Sequence, residues 1–249
     1  MESAAAQPVV PARTWDPMEN VDYRLVETPE EWEEVNSLRY RAYLREGAIL
    51  PSESERVTDR YDDLPNSFTF AVYIRGELYS SIRISVLTSK WRDSLSSEMF
   101  SDLLHPELDR GKIIIDPTRF VADPEKVKKF PELPYVTVRL GYIACGHFNA
   151  DIGLANVRAE HRAFYRRVFL QEPWGQPRLY PGLIKPVGLM AAHYPSIRER
   201  VFHRFPFMRS SAFERRMLFQ RRSGSKLPQL DETKSAELVS LQAMSLGAK

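Results

Sequence analysis

"IIIDPTRFVADP", residues 113–124, decides how the chain is read. Three consecutive isoleucines mark a buried strand, and the apolar run resumes at Phe120, Val121 and Ala122. Between them stand Asp116 and Arg119. Charges inside a core strand are costly unless paired or used, so this strand carries an ion network or an active site. Pro117 removes a ladder donor and predicts a bulge or distortion near that residue.

Upstream, residues 67–86, "SFTFAVYIRGELYSSIRISV", alternate on both sides of Arg75-Gly76 and predict a hairpin. Before it, "TPEEWEEVNSLRYRAYLREG" (28–47) opens with a capping box, Thr28 and Glu31, with Pro29 at the first helical position, and closes on Gly47. Downstream, residues 132–153 predict a helix ending near Gly153, 154–160 a strand, and 161–170 a short helix. Helix, hairpin, strand, helix, strand, helix is an α+β pattern around a mostly antiparallel sheet.

The chain has 249 residues, 43% of them hydrophobic, enough for one large core. Residues 21–222 read as one domain, between an Ala/Pro-rich arm over 1–20 and a tail over 223–249. The N-terminus lacks a basic start followed by an apolar segment, and no run reaches the ~20 apolar residues of a membrane span, so a cytoplasmic protein is expected. The single cysteine, Cys145, excludes an internal disulfide and a Cys-based zinc cluster, and the histidines show no metal-ligand spacing.

Net charge is +2, unevenly spread. Residues 28–63 hold ten acids against five arginines, and 196–222 hold eight arginines against two glutamates. The basic segment fits a solvated helix face, an acidic partner protein or a peripheral membrane contact. No nucleic-acid motif accompanies it.

On a helical wheel Arg39 falls inside the apolar arc of Trp32, Val35, Leu38 and Ala42, with Tyr43 one turn on, while Arg41 lies outside it. Asp59 and Asp62 follow in a loop, and Arg83 sits mid-strand between Ile82 and Ile84. Together with Asp116 and Arg119 these predict one alternating-charge network in which every buried charge has a partner.

The order Arg39–Tyr43, Asp59-x-x-Asp62, Arg83, then Asp116-x-x-Arg119-Phe120 resembles the acyl-homoserine-lactone synthases, which have a GNAT-like acyltransferase fold; the resemblance implies splayed middle strands flanked by helices, with the donor pantetheine in the V between about 115–122 and 154–160. The stretches "VRAEHRAFYRRVF" and "PRLYPGLIKPVGLM" are closer to their relatives, the N-acyl amino acid synthases of the FeeM type; the resemblance covers roughly residues 23–210. The lactone synthases carry Glu where this chain has Asp116, and a Trp near the position of Ile49 beside their S-adenosylmethionine site. These departures favour an ordinary amino acid as acceptor. Residues 120–140 contain no glycine, so the pyrophosphate-binding turn of CoA-dependent relatives is missing. The resemblance therefore implies an acyl carrier protein as partner, its 4'-phosphopantetheine entering on the donor, with no resident cofactor.

It also implies roles. Tyr165 matches the tyrosine that protonates the leaving thiolate in many GNAT enzymes. A backbone amide near Phe120–Ala122 is the expected oxyanion donor. The general base is Asp116, Glu160 or a water held by either, with His161 beside the same site. Arg39, Arg83 or Arg119 is expected to hold the acceptor's carboxylate. A lactone synthase using S-adenosylmethionine and a non-catalytic acyl-lipid binding module are the competing readings.

Overall fold

The computed structural model describes residues 17–179 and 184–220. The arm over 1–20 is thus described only from Pro17, and the tail over 223–249 lies outside the described residues.

Strand β1 (Val21–Leu25) leads into helix α1 (Pro29–Arg45). The capping box forms: Glu31 N–H donates to Thr28 Oγ1 and Thr28 N–H to Glu31 Oε2. The hairpin is β2 (Ser67–Ile74) and β3 (Glu77–Leu87), turned by Arg75 and Gly76 at φ +53° and +81°. Two short helices, α2 (Leu95–Met99) and α3 (Ser101–Asp109), then precede β4 (Ile114–Ala122). Next come α4 (Pro124–Lys129), α5 (Leu133–His147), β5 (Ile152–Val157) and α6 (Arg162–Phe169). Two-residue strands β6 (Glu172–Pro173) and β7 (Arg178–Leu179), the longer β8 (Pro186–His193), and helices α7 (Tyr194–Arg204) and α8 (Ala212–Phe219) complete the described chain.

The strands run β1-β2-β3-β4-β5-β8-β6, with β7 also against β8. All pairings are antiparallel except β4–β5, which is parallel and stops after Ile114↔Ile152 and Ile115↔Gly153. Beyond these pairs β4 and β5 part. Pro117 stands past the split, so its missing N–H costs no bond to β5. Its ring packs on α5 where Gly141 leaves room; a Cβ there would lie 2.9 Å from Pro117 Cγ.

Sheet alternation divides the core. Ile82, Ile84, Val86 and Ile115 face α5 and join its Val136, Leu140 and Ile143. On the opposite face Leu87, Ile114, Ile152 and Leu154 pack against Phe100, Leu104 and Leu108. Arg83, Asp116 and Thr118 share that second face by the period of two.

The bulge expected near Pro117 falls at Arg119, with φ +54°, where the β3–β4 register breaks between Ser81 and Arg83. One expectation is corrected. Helix α5 ends at His147 rather than near Gly153, because Asn149 turns left-handed at φ +50° and Ala150 N–H caps Cys145 O.

Candidate active site

The five charges of the first half form a ladder. Arg39 binds Asp62 through both Nη atoms, at 2.8 and 3.0 Å. Arg83 Nη1 bridges Asp62 (3.1 Å) and Asp59, and its Nε donates to Thr118 Oγ1. Arg119 closes the row on Asp59 Oδ2, with Nε at 3.0 Å and Nη2 at 2.6 Å. Arg39 and Arg83 are 0% exposed. Burial alone raises the Asp59 pKa, but Arg83 and Arg119 outweigh it and hold it at about 2. The aromatic rings of Trp32, Tyr61 and Tyr43 lie within 6 Å of Arg39, Arg83 and Arg119 respectively.

Asp116 is not a member, which corrects the expectation that it belongs to the same network. The left-handed turn at Arg119 sends its guanidinium to the 59–62 loop instead. Asp116 is fully buried and accepts from Ser96 Oγ (2.7 Å) and Asn156 Nδ2 (3.0 Å). Among the described residues its Oδ2 and Asn156 Oδ1 have no hydrogen-bond partner. Burial pushes the Asp116 pKa up, opposed by Ser96, Ser94, Arg83 and Asn156. A carboxyl with a raised folded pKa costs stability as pH climbs above its unfolded value near 4. Asp116→Asn is therefore expected to raise the melting temperature at pH 7 more than at pH 4, as thermal unfolding at the two values will test. An equal shift at both would show that the Asp116 charge is not the cost.

The parting of β4 and β5 opens a cavity of about 690 Å³. Thr118–Ala122 of β4 form one wall and Gly153–Val157 of β5 the other. Its deep part is apolar, reaching Gly141, Cys145, Phe169, Tyr194 and Ile197 under α5, α6 and α7. Its mouth is ringed by Arg45 and Glu46 from α1, Pro124 and Val127 from α4, Pro134 from α5, and Arg158, His161 and Phe164 from the turn into α6.

The sequence-derived residues distribute unevenly around it. Tyr43, Arg119, Phe120, His161 and Tyr165 line the cavity. Arg39, Asp59, Asp62 and Arg83 sit behind the wall as the ladder, and Asp116 lies behind Asn156. Glu160 is exposed, beside Arg158, with its pKa lowered by its own backbone hydrogen bond and by Arg158, His161 and Lys185. Tyr165 packs with Ala155, Val157 and Met190, and burial raises its pKa. Its hydroxyl makes no hydrogen bond among the described residues. Sequence reasoning missed Asn156, Glu46 and Arg158. Asn156 in β5 and Arg158 just past its end stand two residues apart, a signal present in "LANVRAE".

An open parallel pair, a bulge at the split and a cavity passing between the strands are found together with a match of residues 34–193 to the family described as N-acyl amino acid synthase FeeM. The chain belongs to the FeeM family. It is an N-acyltransferase with a GNAT-like fold. Among solved structures it is similar to FeeM, an N-acyl amino acid synthase from uncultured soil microbes, at TM-score 0.62 and 15% identity over 74% of this chain and 98% of that one. It is also similar to BjaI, a CoA-dependent acyl-homoserine lactone synthase, at 0.54 and 16% over 88% and 98% of the two chains. The AHL synthase LasI gives 0.53 and 16%, over 69% and 89%. No curated protein matches the sequence. No helix among the described residues of this FeeM-family chain is long and apolar enough to cross a membrane.

Proposed function

We propose that the protein transfers a long-chain fatty acyl group from a thioester on acyl carrier protein to the α-amine of an amino acid. The observation that carries this reading is the cavity itself: an apolar depth suited to an alkyl chain, a cationic mouth suited to an anionic acceptor, and the strand split between them. The amine attacks the thioester carbonyl to give a tetrahedral oxyanion. The main chain of β4 beyond the split, Thr118–Ala122, has no β5 partner and supplies N–H groups on that wall.

Tyr165 stands on the opposite wall. Its hydroxyl is protonated at neutral pH and gives its proton to the departing thiolate, and the tyrosinate so formed is reprotonated by water at the mouth, where the amine's proton is released. The amine loses its proton to water at the open mouth, since Asp116 does not line the cavity and Glu160 is solvated. Asp116 acts by orienting Asn156. Tyr165→Phe is expected to slow single-turnover transfer about 10- to 100-fold while donor affinity holds. An unchanged rate would leave Tyr165 as packing.

Two features favour a carrier-borne donor over free CoA. The N-terminus of α4 is already capped by Asp123, which accepts from the N–H groups of Glu125 and Lys126. Helix α5 begins behind Glu132. A pyrophosphate at either helix end meets a carboxylate. The function is tested by mass spectrometry of lipid extracts from cells overproducing the chain, because an N-acyl amino acid names both substrates. A lactone formed from S-adenosylmethionine would assign a homoserine-lactone synthase. No acylated amine, in extracts or with purified acyl carrier protein and amino acids, would leave a binding module.

A further inference from the structure

The proposed reaction needs a cation for the acceptor's carboxylate, which sits one carbon away from the attacking nitrogen. Arg39 and Arg83, two of the three arginines expected from sequence, are sealed and have Asp59 and Asp62 as partners. Arg119 spends Nε and Nη2 on Asp59. Arg45, at the outer rim, binds Glu125 of α4.

Arg158 differs from all of these. It follows the last residue of β5, so its backbone is fixed at the edge of the split, and its side chain lines the cavity. It is 20% exposed, within reach of solutes yet partly desolvated. Its Nη2 donates to Glu46 Oε2 at 2.8 Å, and its Nε lies 3.3 Å from Glu160 Oε1. Its Nη1 makes no hydrogen bond among the described residues. Both acids are more than half exposed, at 51% and 55%, and such water-facing pairs hold weakly. Glu46 closes the C-terminus of α1 through its main chain, which leaves its side chain free to move away.

We infer that Arg158 is the α-carboxylate site of the acceptor and that Glu46 occupies it as a stand-in until the amino acid arrives. The inference rests on the acyl-transfer reading above and adds the group that selects a carboxylated amine. The incoming carboxylate takes the Nη1–Nη2 edge, displaces Glu46, and receives two parallel hydrogen bonds where Glu46 made one. The mouth stays attractive to an anion because Arg45 also lines it and Lys185 acts on the neighbouring Glu160, while His161 Nε2 lies 3.4 Å from Arg158 Nη2.

The test uses the purified full chain at saturating acyl-carrier donor. The twenty amino acids are supplied as a mixture, and the one consumed fastest is compared with its carboxamide. Arg158→Ala is expected to raise the amino-acid KM about 30-fold or more. Its kcat and donor KM should hold, and the wild-type preference for acid over amide should disappear. Glu46→Gln removes the competitor and is expected to lower the amino-acid KM about two- to fivefold, with no change for the amide. Melting temperatures within about 2 °C of wild type confirm that both variants fold. Equal losses for acid and amide in Arg158→Ala would overturn the carboxylate site. A raised amino-acid KM in Glu46→Gln would overturn the stand-in. Either failure in a protein whose wild type acylates amino acids counts against this inference alone. A wild type that acylates none overturns the reading beneath it as well.

Discussion

Arg83→Ala is expected to cost about 3–5 kcal/mol of stability, the range found when one partner is removed from a buried ion pair. At roughly 2–4 °C per kcal/mol for a domain of this size, the melting temperature falls by about 6–20 °C. The reason lies in the geometry. Arg83 is the rung that joins Asp59 to Asp62 and holds Thr118 on the neighbouring strand. Without it two carboxylates remain close together against the sheet, each with a single arginine. Arg41, exposed and bonded to Ser37, is the control; Arg41→Ala should shift stability by less than about 0.5 kcal/mol. The ladder also sets an acid limit. Asp59 titrates at about 2 in the folded chain, below its ordinary 3.8, so its contribution is complete above about pH 4 and is lost as pH falls through 2. In Arg83→Ala that acid limit should move to higher pH. Equal melting temperatures for Arg83→Ala and Arg41→Ala would show that the ladder does not hold the fold.

The question raised by Asp116 and Arg119 thus has two answers. Arg119 is paired, and its partner was legible: Asp59-x-x-Asp62 stands out as the acidic pair between two apolar arginine positions. Asp116 is not paired with a cation, and nothing in its neighbourhood along the chain says so. Its partners, Ser96 and Asn156, come from α2 and β5, twenty and forty residues away. Local chemistry was read well where it is local. The capping box, the Arg75-Gly76 turn and the isoleucine strand depend on neighbours within a few residues. The split between β4 and β5 depends on pairing across two intervening helices; periodicity carries no such information, and the splayed strands were expected from the family resemblance alone. Proline placed the expected bulge in the right neighbourhood because it forbids a donor; the bulge itself rests two residues on, on a left-handed arginine whose side chain is gripped from outside the strand. Glu46 and Arg158 passed as a helix end and a strand end. Only their meeting across 112 residues makes them a site.

The second large effect concerns the donor. Acyl carrier protein should outperform acyl-CoA of the same chain length, by about 10- to 1,000-fold in kcat/KM at low salt if charge steering dominates. Within the expected docking segment 196–222 the arginines are not equivalent: Arg204 donates to Arg167 O beside the mouth, whereas Arg215 and Arg216 lie at the other end of α5. Arg215 and Arg216 of the basic 196–222 segment stand beside His147, whose pKa burial and those two arginines push down to about 4. His147 ends α5, whereas the cavity opens at Pro134 near its start. Fifteen residues of helix put about 21 Å between the two ends. Near the mouth, α4 carries Lys128 and Lys129 and α6 carries Arg166 and Arg167, all exposed, with Lys128 paired to Glu125 and Arg166 to Glu172. An acidic carrier that threads its pantetheine past Val127 and Phe164 would meet these side chains first. Lys128→Glu with Lys129→Glu should therefore lower kcat/KM for the acyl-carrier donor about tenfold or more through the association rate, leaving turnover at saturation intact. The same exchange at Arg215 and Arg216 should have a smaller effect. Both the carrier's advantage and the loss on charge reversal should shrink with salt, since exposed charges are screened beyond about 8 Å at physiological ionic strength. Steady-state rates for the two donors across a salt series decide the matter. A preference for acyl-CoA that ignores salt and both charge reversals would mean that the carboxylates at Asp123 and Glu132 do not keep a pyrophosphate away, and the donor would have to be reassigned to CoA.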